Sequence, residues 1–162
     1  MATGRNIQLA KAVGEYLVCA ELCRRGFLAT SFTGNVPDFD ILAIDDNDKA
    51  IPIQVKAIRG GAWQLKADRF LNITIKNGVQ HVRGKKTLGK NIRWCVFVRL
   101  KEQGSDDFFI FKMSQLRNVV YKNYTAWLKL HDGKRPRNPE SLHVSVSEKD
   151  LLSFLNKWNA LR

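Results

Sequence analysis

Phe39-Asp40-Ile41-Leu42-Ala43-Ile44, then Asp45-Asp46-Asn47-Asp48, then Ala50-Ile51-Pro52-Ile53-Gln54-Val55-Lys56-Ala57 is the stretch that decides the fold. Two apolar runs rich in branched residues flank four turn-forming residues, which predicts an antiparallel hairpin with strands over 39–44 and 50–57. Pro52 lacks an amide proton, so it is expected only where a strand edge or bulge leaves that side unpaired. Strand alternation points Asp38, Asp40 and Leu42 one way, and sets Gln54 and Lys56 together on one face of the next strand. Closing the hairpin at the Asp-rich turn brings Asp40 near Gln54 and Lys56. A carboxylate and an ammonium at the ends of apolar strands are costly unless they pair with each other or bind something.

Upstream, Leu9, Ala12, Val13, Tyr16, Cys19, Ala20 and Cys23 recur at helical spacing, which predicts a helix over 5–25 with that stripe facing the core. Glu15 falls at the edge of this stripe, as suits a residue facing a cleft. Downstream, the pattern predicts strands around 62–66, 70–76, 94–100, 108–112 and 142–146. Helices are expected over 115–124 and 126–130. A last helix is expected after Ser147, with Asp150 three residues on as a capping partner. Arg83, Lys85, Lys86, Lys90 and Arg93 cluster around a Gly-bearing stretch read as a loop that can track a phosphate backbone. Lys134, Arg135 and Arg137 form a second basic loop. A helix, a mostly β middle and closing helices make an α/β (α+β) chain.

The chain has 162 residues, 44% of them hydrophobic and 26% charged, which fits one globular domain over 1–162. Its 27 basic and 15 acidic residues leave a net charge of +12, a field that favours nucleic acid by counterion release. The three cysteines are odd in number, and Cys19 and Cys23 lie among apolar residues, so a disulfide framework is not expected. No His or Cys stands at zinc spacing. Nothing at the start reads as an apolar leader and no run is long enough to span a membrane, so a soluble, intracellular, cytoplasmic protein is expected.

Pro37-Asp38, Asp40-Ile41-Leu42-Ala43 and Ile53-Gln54-Val55-Lys56, preceded by Gly14-Glu15 in a helix, resemble the PD-(D/E)XK nuclease superfamily. The likeness is to its Holliday-junction-resolvase-like and Mrr-like members, over roughly the first 60 residues. It implies a restriction-endonuclease-like core: a central mixed β-sheet flanked by helices. It also implies a metal-dependent endonuclease acting on DNA with Mg²⁺ or Mn²⁺. By the same resemblance, Asp40, Gln54, Glu15 and the backbone carbonyl of Val55 would hold the metal. Lys56 would orient the attacking water, and Asp38, the literal Asp after Pro, would stand behind the metal ligands or in a turn. Gln54 departs from the commoner Glu and brings no charge. The alternatives are a catalytically inactive nucleic-acid-binding module of the same fold, or a basic protein-interaction domain in which Asp40 and Lys56 pair. A homodimer would suit cleavage of two strands.

Overall fold

The protein is described here by a computed structural model covering residues 4–32, 39–88, 94–102 and 104–162. In chain order the elements are helix α1 (Gly4–Arg24) and strands β1 (Leu28–Ser31), β2 (Ile41–Ile44), β3 (Ala50–Ile58), β4 (Trp63–Lys66), β5 (Leu71–Lys76), β6 (Val79–Lys85), β7 (Trp94–Arg99) and β8 (Asp107–Lys112). Helix α2 (Met113–Leu130), strand β9 (His143–Val146) and the short helix α3 (Glu148–Leu151) follow. The chain divides into two compact units: 1–61, 93–112 and 151–162 in one, 62–92 and 113–150 in the other.

The first unit holds a five-stranded sheet in the order β1-β2-β3-β7-β8. Only β3 and β7 run parallel; the other neighbours are antiparallel, so the sheet is mixed. The expected hairpin is present, with Ile41 opposite Ile53 and Ile44 opposite Ala50. Asp45 closes its turn, because its Oδ1 accepts the N–H groups of Asn47 (2.9 Å) and Lys49 (3.0 Å). Pro52 pairs with Leu42, and among the described residues the ladder to β7 begins at Ile53. Ile41, Ala43, Ile51, Ile53, Val55, Val96, Val98 and Ile110 fill one core with residues of α1. Cys95, Phe97, Phe109 and Phe111 are buried as well, so β7 and β8 read as unbroken apolar runs. After α3 the chain runs along the β8 edge, where the Asn156 N–H donates to the Phe108 carbonyl at 2.7 Å. That coverage removes one open edge of the sheet.

Helix α1 corrects the expectation for its buried face. The residues that are buried are Ala10, Gly14, Val18 and Leu22, whereas Leu9, Val13, Tyr16 and Cys23 of the predicted stripe are exposed. The cause is close approach: a Cβ on Gly14 would lie 2.4 Å from the Cβ of Ala57 on β3. Small residues win that face although their hydrophobicity is low.

The second unit carries β4 paired with β9, and a separate β5–β6 hairpin. Asn77 (φ 51°) and Gly78 (φ 73°) form its turn, the left-handed pair that a two-residue hairpin needs. The expected loop from Arg83 is therefore corrected: Arg83 and Lys85 stand on a strand. Helices 115–124 and 126–130 are one continuous helix, α2, which buries Leu116, Val120, Tyr124 and Leu128. The expected last helix is shorter than its apolar spacing suggests, with α3 ending at Leu151 and 3-10 turns following. Its N-terminus holds as expected, with the Ser147 N–H and Oγ–H both donating to Asp150 Oδ2.

Candidate active site

Asp40 stands one residue before β2, held through both its backbone, whose carbonyl accepts the Phe32 N–H at 3.3 Å, and its carboxylate. Its N–H donates to the Ile53 carbonyl at 2.9 Å, and its Oδ2 accepts the Val55 N–H at 2.8 Å. The carboxylate thus replaces a backbone acceptor and brackets Gln54 from both sides. Its other oxygen, Oδ1, faces the Lys11 ammonium on α1 at 4.0 Å. Lys11 also lies 3.6 Å from Glu15 Oε1, so one cation serves two carboxylates.

Glu15 reaches this position because Gly14 lets α1 close onto Val55 and Ala57. Its side chain is 15% exposed and that of Asp40 is 22% exposed. Burial raises the Glu15 pKa above the ordinary glutamate value; Lys11 opposes the rise and the Asp40 charge adds to it. Glu15 Oε1 is buried and accepts no hydrogen bond among the described residues, with the Lys11 ammonium facing it.

Gln54 and Lys56 are half-buried and leave β3 on the face opposite Ile53 and Val55. Gln54 is in register with Cys95, and Lys56 with Phe97, on the neighbouring parallel strand. Val55 packs its side chain into the core under α1, and its N–H belongs to Asp40. The structure therefore joins Glu15, Asp40 and the Gln54–Val55 backbone, with Gln54 and Lys56 side by side on one strand face. Asp38 falls outside the described residues.

Among the described residues no group of three or more His, Cys, Asp and Glu side chains could hold a metal ion. The oxygen donors brought together are the carboxylates of Glu15 and Asp40, and the Gln54 amide stands on the face of β3 that Lys56 shares. Carboxylate and amide oxygens are the donor types that a hard divalent cation takes, with water in its remaining positions. Lys11 is the residue that sequence reasoning missed. Its i,i+4 spacing from Glu15 was the readable signal.

Of the basic residues, Arg83 is exposed on β6, with its Nε donating to Thr74 Oγ1 at 3.1 Å. Lys85 folds onto α2, donating to Asn118 Oδ1 at 2.8 Å and lying 5.0 Å from the Tyr121 ring centre. Lys86 is exposed, and its carbonyl accepts Arg117 at 2.7 Å. Lys90 and Arg93 lie outside the described residues. Arg135 stacks over Trp127 at 4.1 Å, a packing role within the second basic loop. No helix among the described residues is long and apolar enough to cross a membrane.

No family model matches the chain, and neither does any curated protein. Solved structures do. The chain is similar to a bacterial homing endonuclease over 94% of its own length and 90% of that chain, at TM-score 0.52 and 10% identity. It is also similar to the Holliday junction resolvase of the archaeal hyperthermophile Archaeoglobus fulgidus, over 88% of each chain, at TM-score 0.46 and 13% identity. With its five-stranded mixed sheet under α1, the chain has a restriction-endonuclease-like fold.

Proposed function

We propose that the chain is one domain over 1–162 that hydrolyses phosphodiester bonds in DNA with Mg²⁺ or Mn²⁺. The observation that carries this reading is the convergence of Glu15 and Asp40 on a single cation at the start of the β2–β3 hairpin. Two largely covered acids that share one ammonium, one of them through an oxygen that accepts no hydrogen bond, form a position for added positive charge.

Glu15, Asp40 and the Gln54 amide oxygen would hold the ion, with the Val55 carbonyl beside them. When bound, it would supply charge at the phosphoryl oxygen and a more acidic water. The residues of the chain do the rest. Asp40 is locked by Val55 and Ile53, so its second oxygen, which faces Lys11, is held without further ordering. Lys56 would orient the attacking water and offset charge developing on the phosphate. Basic residues elsewhere would hold the substrate backbone by counterion release. Because a homodimer would bring two such centres to two strands, it belongs to the same proposal.

Gln54 favours a second reading, a nucleic-acid-binding module of the same fold without cleavage, because an amide gives the site one charge fewer than a carboxylate would. Cleavage by the native and Asp40→Asn proteins separates the two. Duplex, single-stranded and branched DNA are incubated with Mg²⁺ or Mn²⁺ against chelator. Native cleavage should fall on the order of a thousandfold or more in Asp40→Asn. Lys56→Ala should lose cleavage while keeping metal binding. Binding of DNA without cleavage of any substrate supports the second reading, and equal cleavage by native and Asp40→Asn proteins defeats the mechanism.

A further inference from the structure

The β5–β6 hairpin has two faces of opposite character. Leu71, Ile73, Ile75, Gln80 and Val82 are buried or half-buried on one side, whereas Asn72, Thr74, Lys76, His81 and Arg83 are exposed on the other. From Phe70 to Lys86 the sequence has four basic residues and no acidic one. We propose that this outer face is a reading surface that enters the major groove of duplex DNA, with Arg83 as its specificity residue. The proposal rests on the nucleic-acid reading above and adds the groove, the element and the residue.

Shape is the first argument. A two-stranded ribbon with its side chains is about 10 Å across, and the major groove of B-form DNA is about 12 Å wide. The strand Leu71–Lys76 extends about 20 Å, enough to follow roughly six base pairs. A-form RNA closes the corresponding groove to such an element.

The second argument is how Arg83 is aimed. Asn72 is opposite Gly84 and Ile73 opposite Val82, so Arg83 is the extra residue of a β-bulge and has no cross-strand partner. Gly84 takes φ 143° to allow it. Bulges re-aim side chains, and here Arg83 is exposed and bonds Thr74 Oγ1 through Nε, so its terminal amines are not used in that bond. That planar fork matches the O6 and N7 acceptors of guanine. Asn72 and Thr74 add neutral donors and acceptors between the cations, as base edges require and a bare phosphate track does not.

The third argument is rigidity. Gln80 is buried on the inner side, where its amide donates to the Pro139 and Ser141 carbonyls and its Oε1 accepts the Tyr124 hydroxyl. Burial pushes the Tyr124 hydroxyl above the ordinary tyrosine pKa, so it stays a donor. The ribbon is therefore anchored to α2 before any ligand arrives, and little conformational freedom is left to lose on binding.

The test uses the full chain, a duplex DNA library selected for binding, and a matched RNA duplex. Native protein should protect a guanine N7 from dimethyl sulfate and resist competition by a minor-groove ligand. Lys76→Ala with Arg83→Ala should bind DNA about 10- to 100-fold more weakly, with a salt slope lower by about two. Arg83→Lys keeps the charge and needs no refolding; it should hold most of the affinity and lose the guanine protection. Unchanged protection in Arg83→Lys, competition by the minor-groove ligand, or equal binding of RNA overturns the groove assignment while leaving DNA binding standing. Failure of the native chain to bind any DNA overturns both the inference and the reading beneath it.

Discussion

Strands β7 and β6 are of similar length and differ in almost everything else. Every residue from Cys95 to Arg99 on β7 is buried, whereas β6 alternates exposed and covered positions along its length. The parallel pairing of β7 with β3 and its antiparallel pairing with β8 leave it no free edge. The β5–β6 ribbon pairs with no third strand among the described residues. A strand covered on both faces can only hold other elements in place. A strand covered on one face can hold and also present, because its outward residues change without disturbing the core.

The largest effect that would sharpen this contrast is Phe97→Ala. It removes a fully buried ring packed edge-on against Phe111 at 5.0 Å, and should cost about 3–5 kcal/mol in denaturant unfolding. His81→Ala, on the outer face of β6, should stay within about 0.5 kcal/mol of native. Similar losses from both substitutions would erase the distinction.

Gly14→Ala comes next. The new methyl meets Ala57, so a change that ordinarily favours a helix should destabilise by about 1–3 kcal/mol. Adding Ala57→Gly should restore much of the loss if the close approach is the cause, which a double-mutant cycle would measure. Additive losses would place the cause elsewhere.

The smallest effect concerns the start of α3. Burial works against charge on Asp150, but bonds from Ser147, with help from Asn123 and Lys122, hold its carboxyl below the ordinary value. Asp150→Ala should cost about 1 kcal/mol near neutral pH. Because the folded pKa lies below the unfolded one, that stabilisation is complete above the unfolded value. It should vanish as pH falls through the folded value, bringing native and variant melting curves together in acid. A difference that persists there would mean that packing, and not the charged cap, is responsible.

Local signals were legible where one physical rule acted alone. The Asp45 turn and the alternation from Ile51 to Val55 announce the central hairpin. Strand β1 escaped notice because Leu28–Ser31 is short and only partly covered. Strand β6 escaped because Gly84 and the lysines near it read as a loop, although Asn77-Gly78 was a hairpin signal in plain view. The buried face of α1 was illegible for a deeper reason. Its identity depends on how near β3 comes, a tertiary distance that favours Gly14 over larger apolar residues and that no helical wheel contains.

Lys11 gives the candidate site its own cation. Its ammonium faces Glu15 at 3.6 Å and Asp40 at 4.0 Å, offsetting their charge within the chain. On the proposed reading, loading is an exchange of one cation for another. The strength of the internal pair then sets a threshold, the free concentration of divalent ion at which the site switches on. A lysine one helical turn from an acid would in this way act as a setpoint, tuning when the protein cuts without touching how it cuts.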